Sequence, residues 1–226
     1  MTKIDHRRNY ILMIDTETAN GLEDALVYDI GFAVIDKHGN VYESASYVNA
    51  DIFCDCPDLM DTAYYADKIP SYWKDIHNKE RKLAHLSTIR RIIFDVIEKY
   101  DIKSVCAHNA RFDVNALNTT LRYETTSTAR YFLPYGVEVW DTLKMARSVI
   151  GKMPTYDRFC RNNGYLTNHR TPQLRFTAEI LYRFISGDNE FEEAHKGLDD
   201  VMIEKEILAY CFRQHKPMDK VLYRGK

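Results

Sequence analysis

The sequence predicts an α/β domain built on a mixed sheet, and three observations carry that expectation. A short apolar run, Tyr10 to Ile14, stops at an acid; two β-rich runs, 30–35 and 41–48, are joined by a turn; and from residue 83 onward helical and extended patterns alternate. A hairpin followed by such alternation is the pattern of a layered fold with antiparallel and parallel strands together.

Each element has its own reason. Tyr10-Ile11-Leu12-Met13-Ile14 leaves no position for water, so it reads as a strand buried on both faces. Ile30 to Ile35 and Val41 to Val48 flank Asp36-Lys37-His38-Gly39-Asn40, a turn that pairs them as a hairpin. Residues 51–82 mix aromatic and polar residues without clean period and read as an irregular insertion. From Leu83 to Tyr100, Leu86, Ile89, Ile93, Val96 and Ile97 recur at helical spacing and predict an amphipathic helix. Ser104 to Ala107 reads as a short buried strand and Asp113 to Tyr123 as a helix. Glu138-Val139-Trp140 is a strand handing over to a helix that Asp141 would cap. Helices are predicted at 155–163 and 177–186, ended by Gly164 and Gly187, and at about 197–214.

Composition sets the outer bounds. The 226 residues suit a single domain, 1–226, with the insertion at about 51–82. Hydrophobic residues at 45% and charged residues at 28% exclude a disordered chain. No apolar run is long enough to span a bilayer, and the first eight residues lack the apolar stretch of a secretory signal. A cytoplasmic protein without a membrane partner is the expectation. Its five cysteines, odd in number and scattered, read as free thiols. A net charge of −2 means that nucleic acid, if bound, must meet a local basic surface or bound cations.

The acids carry the chemistry. Asp15 and Glu17 directly follow the first strand, and residues two apart on an extended chain point the same way. Two carboxylates so placed repel unless a cation lies between them, and a hard divalent ion with oxygen ligands answers that need. Asp113 closes the stretch Ala107 to Asp113, which also follows a strand and opens a helix. His195, Asp199 and Asp200 sit at a third helix entry, where an imidazole offers a base titrating near neutrality. Taken singly, each has a bland alternative: an acidic turn, a helix N-terminal acid, a charged helix start.

Taken in order, Asp15-Thr16-Glu17-Thr18, His108-Asn109-Ala110-Arg111-Phe112-Asp113 and His195-x-x-x-x-Asp200 resemble the three motifs of the DEDDh, or DnaQ-like, exonuclease superfamily, over about residues 10 to 212. The resemblance implies a ribonuclease H-like fold: a five-stranded mixed sheet, three strands antiparallel and two parallel, flanked by helices. It implies 3′–5′ exonuclease activity releasing 5′-mononucleotides with two divalent cations, Mg²⁺ or Mn²⁺. The metal-binding acids map to Asp15, Glu17, Asp113 and Asp200, and the general base to His195. The family's spacing selects Asp200 over Asp199, which requires His195 to lie on the loop before the helix. Thr18 and Ala19 would bring backbone to the terminal sugar, and Phe112 would pack beneath the site.

Partners follow from the same resemblance. A nucleic acid with a free 3′ end is expected, DNA ahead of RNA, with a polymerase or a second copy of the chain as further partners. The short stretch after the last motif leaves no long tether, which favours a free-standing enzyme. Tyr64, Tyr65, Tyr72 and Trp73 read first as a local core and second as a platform for unpaired bases. Lys152, Arg158, Arg161, Arg170 and Arg175 form a basic stretch that is either a solvated face or a surface for the incoming strand.

Overall fold

A computed structural model describes residues 4–126 and 128–225. The first strand, β1 (Ile11–Ala19), lies at the centre of the sheet. It pairs antiparallel with β2 (Leu26–Ile35), which pairs antiparallel with β3 (Val41–Asn49). After a run of short elements, α1 (Ala50–Phe53), α2 (Pro57–Met60) and α3 (Ile69–His77), an edge strand β4 (Lys82–Ala84) joins β3 in parallel. Helix α4 (Leu86–Lys99) leads to β5 (Ser104–Ala107), parallel to β1, and α5 (Arg111–Glu124) leads to β6 (Glu138–Asp141), parallel to β5. Helices α6 (Thr142–Val149), α7 (Pro154–Asn162), α8 (Ala178–Ser186) and α9 (Gly197–Arg213) follow, and β7 (Val221–Tyr223) closes the sheet antiparallel to β6.

The sheet order is β4-β3-β2-β1-β5-β6-β7. Its five central strands are the expected arrangement, three antiparallel and two parallel. The two further strands are three-residue edges, β4 and β7, too short to leave a periodic signature. Leu83 is accordingly a strand residue, paired with Val48, and the following helix starts at Leu86. The insertion also holds more order than expected, since α3 runs for nine residues from a proline in its first turn.

Alternation along β1 builds two cores. Leu12 and Ile14 face one side, against α4 and α5 residues such as Ile93 and Leu117. Ile11 and Met13 face the other, against α6 to α9 residues such as Met145 and Ile207. A third cluster joins Ala19, Tyr28 and Val48 to Ile52, Phe53 and Tyr72 of the insertion. The helix ends follow the sequence closely: Asp141 accepts from the Leu143 amide at 2.8 Å, and Gly187, at φ 76°, ends α8 in the left-handed conformation. All five cysteines are free thiols, and among the described residues no helix is long and apolar enough to cross a membrane.

Candidate active site

The central position of β1 determines where its acids go. Asp15 and Glu17 continue the Ile11–Met13 face, toward α9. Thr16, between them, points the other way and donates its hydroxyl to Asp113 at 2.9 Å. That bond links the end of β1 to the first turn of α5, where a negative group is favoured by the helix dipole.

Helix α9 reaches the same place because two glycines let backbones touch. A Cβ on Gly31 of β2 would lie 2.0 Å from the Leu198 nitrogen, and one on Gly197 would lie 2.6 Å from the Gly31 nitrogen and 3.1 Å from the Asp15 oxygen. The first turn of α9 thus rests directly on β2 and β1, and its Asp200 enters the space beside Asp15.

The result is one open cleft of about 790 Å³, into which Asp15, Glu17, Asp113, His195 and Asp200 all face. Glu17, His195 and Asp200 offer ligand atoms within 4.8 Å of one another. Asp199 turns away instead, its carboxylate 3.4 Å from the Arg81 guanidinium.

So many acids in one place cannot all be comfortable as anions. Burial, then repulsion by Glu204 and Asp113, drives the Asp15 carboxyl well above the usual carboxylate range. Burial, then Asp200, pushes Glu17 up to about 9, and burial, then Glu193, pushes Asp200 to about 8. Burial raises Asp113 too, with the Thr16 hydrogen bond opposing it. An oxygen-only cluster whose anionic form is disfavoured fits hard divalent cations, which would satisfy oxygens that repel one another.

Glu204 strengthens that fit, and nothing in the sequence reading singled it out. It lies one helical turn beyond Asp200 on the same face of α9, is 3% exposed, and lines the cleft. Among the described residues its Oε2 has no hydrogen-bond partner. A buried carboxylate oxygen without a partner is costly, and here it borders the other acids. The available signal was a second acid, four residues past Asp200, on the helix face shared with Val201, Ile207 and Leu208.

His195 does lie on the loop before α9, in the left-handed region at φ 52°. Its ring stacks on Tyr65 with centroids 4.1 Å apart and planes 13° apart, and its Nδ1 is 3.9 Å from Glu193 Oε2. Burial, then Lys68, holds the imidazole below its ordinary pKa, so it is neutral and able to accept a proton near pH 7.

The insertion fastens this loop. Asp29 of β2, fully buried, accepts from Arg81 at 2.7 Å, from the Tyr72 hydroxyl at 2.8 Å and from the Gly197 amide at 3.0 Å. Asp75 of α3 accepts from Arg81 at 3.1 Å and from Lys196 at 2.6 Å. Burial raises Asp29, and Arg81 is the largest of the influences opposing it.

The remaining predicted positions divide. Phe112 lines the cleft and packs on the first core cluster. Thr18 and Ala19 do not line it: the pairing with β2 shifts register between Glu17 and Thr18, and Ala19 is buried in the third cluster. His108 is half-buried with both ring nitrogens engaged, Nδ1 with Thr142 Oγ1 at 2.9 Å and Nε2 with the Phe176 carbonyl at 2.8 Å, so it ties the cleft wall together. Of the basic stretch, Arg175 lines the cleft, joined by Arg147 of α6, while Arg161 pairs with Asp157. The aromatic cluster splits as well. Tyr72 is core, Trp73 is half exposed beside Phe53, Tyr64 is exposed, and Tyr65 faces the cleft.

No family model matches the sequence, and no curated protein matches it. Among solved structures the fold is similar to that of E. coli exonuclease I. The zinc-bound complex of that protein with single-stranded DNA gives a TM-score of 0.51 at 15% identity, over 93% of this chain and 41% of that one. Its complex with a 5cy-dT13 oligonucleotide gives 0.54 at 15% identity, over 92% and 41%. A moderately thermophilic exonuclease I from Methylocaldum szegediense gives 0.51 at 16% identity, again over 92% and 41%. The chain therefore spans about two-fifths of the length of these proteins. The likeness is one of fold.

Proposed function

We propose that this protein is a metal-dependent 3′–5′ exonuclease that removes 5′-mononucleotides from the 3′ end of a single DNA strand. The single observation that carries the reading is the convergence of Asp15, Glu17, Asp113 and Asp200 on one cleft with a neutral histidine at its rim. The preference for DNA draws on the fold likeness to exonuclease I structures that hold DNA oligonucleotides.

Asp15, Glu17, Asp113 and Asp200 would hold two divalent cations, Mg²⁺ or Mn²⁺, which when bound supply Lewis-acid charge to the scissile phosphate and its leaving oxygen. The protein's own residues do the rest. His195, stacked on Tyr65 at the rim of the cleft, takes the proton of the attacking water. The Thr16 hydroxyl keeps the Asp113 carboxylate turned toward the cleft. Arg147 and Arg175 lie on the cleft wall as partners for phosphates of the strand. Phe112 gives the terminal nucleotide an apolar surface.

Digestion of a 5′-labelled oligodeoxynucleotide tests the proposal. A ladder shortening from the 3′ end with Mg²⁺ or Mn²⁺, abolished by EDTA, is expected. Removing the imidazole in His195→Ala should slow it about 10²–10⁴-fold with metal affinity intact. Full activity in EDTA would overturn the scheme, and faster digestion of a matched RNA would move the substrate to RNA.

A further inference from the structure

His195 stands where nothing regular holds it. It lies outside α9, and its left-handed φ of 52° is one that a non-glycine residue adopts only when its surroundings enforce it. The Nδ1 to Glu193 distance of 3.9 Å is too long for a hydrogen bond, and among the described residues no side chain hydrogen-bonds the ring.

We propose that Tyr65 is the positioning residue for His195: its ring, braced by Lys68, forms a rigid face against which the imidazole is held in the orientation that accepts the proton. The inference rests on the general-base role given to His195 above. Four contacts carry it. The Tyr65 and His195 rings lie 4.1 Å apart and 13° from parallel, a stack rather than an edge contact. The Lys68 ammonium hydrogen-bonds the carbonyl of Ala194, the residue before His195, and lies 5.2 Å from the centre of the Tyr65 ring. Past His195, Lys196 is bound by Asp75 at 2.6 Å. The chain on both sides of His195 is thus tied to the segment that carries Tyr65.

That segment is itself firm. Residues 66–68 form a turn of 3₁₀ helix closed by the Lys68 amide on the Tyr65 carbonyl at 3.0 Å, and α3 follows at once with Tyr72 fully buried. The imidazole covers one face of Tyr65, and the Tyr64 ring stands at 88° to it with centroids 4.8 Å apart, so the face turned to His195 is closed to a base of the substrate.

Steady-state cleavage of an oligodeoxynucleotide by the full chain in Mn²⁺ tests this. Tyr65→Ala should lower kcat about 10–100-fold with KM unchanged, the scale of a reacting group displaced by about an ångström. Tyr65→Phe, which keeps the ring, should restore kcat. In a His195→Ala background, Tyr65→Ala should cost nothing further. Lys68→Met offers a second variant, lowering kcat less in the same direction. A raised KM with intact kcat in Tyr65→Ala would mean that the ring receives substrate, and a full additional loss on top of His195→Ala would mean that it acts independently; either result overturns the inference alone. If His195→Ala itself left the rate unchanged, the general-base assignment would fall and this inference with it.

Discussion

Two regions of the cleft are built by different means. Toward the carboxyl end of the central strand, Asp15 and Glu17 are placed by backbone pairing of β1 with β2, just beyond the residues of β1 that pair with β5, and Thr16 ties Asp113 to the same strand. Across the cleft, His195 has no backbone ladder. Side chains more than a hundred residues earlier, Tyr65, Lys68 and Asp75, hold its loop. The first region is rigid by secondary structure and crowded with like charge. The second is close to neutral and depends on a few contacts. On the proposed reading the acids would hold cations, while the histidine's orientation could be lost without loss of the fold.

The largest expected difference separates the two regions in kinetics and metal binding together. Asp15→Asn and Asp113→Asn should erase cleavage, about 10⁴-fold or more, and weaken Mn²⁺ binding in titration calorimetry. His195→Ala should spare the calorimetry. Equal Mn²⁺ affinity in all three variants would dissolve the distinction.

Next in size is the seat of α9. Gly31→Ala places a methyl group 2.0 Å from backbone, which no rotamer change relieves, and should cost about 3 kcal/mol in chemical denaturation. A variant as stable as the parent would mean that the helix does not rest on β2 as described.

The charge of the first region should show as pH dependence. Glu17 and Asp200 titrate near 4 when unfolded but at about 9 and about 8 when folded, so the folded protein retains protons that the unfolded chain releases. Stability in EDTA should therefore fall as pH rises from about 4 to about 9, lowering Tm by several degrees, and Mn²⁺ should flatten the slope. Glu204→Gln should raise the Tm in EDTA at pH 8 and shrink the gain on adding Mn²⁺. A Tm independent of pH in EDTA would contradict the crowding.

The smallest effect is expected at Asp199. Half exposed and paired with Arg81, it should tolerate Asn with a rate within about threefold of the parent. Asp200→Asn should behave like Asp15→Asn. The opposite order would give Asp199 the role proposed for Asp200.

The same contrast explains what the sequence disclosed. Period-two burial and an acid at a strand end made Asp15 and Glu17 visible, and Asp141 and Gly187 marked helix ends by local chemistry alone. Local signals could not reveal Tyr65 as the partner of His195, because 130 residues separate them and only folding brings them together. Glu204 stayed hidden because an acid on a long helix reads as solvated until the helix is known to lie over other acids. The register shift between Glu17 and Thr18 in the β1–β2 pairing was not legible either, since no residue type announces it.

Crystals soaked in MnCl₂ and measured at the manganese absorption edge test the central claim most directly. Two anomalous peaks bounded by Asp15, Glu17, Asp113 and Asp200 are expected, with the His195 ring still stacked on Tyr65. No peak in the cleft at saturating Mn²⁺, with those carboxylates turned away from one another, would contradict the account.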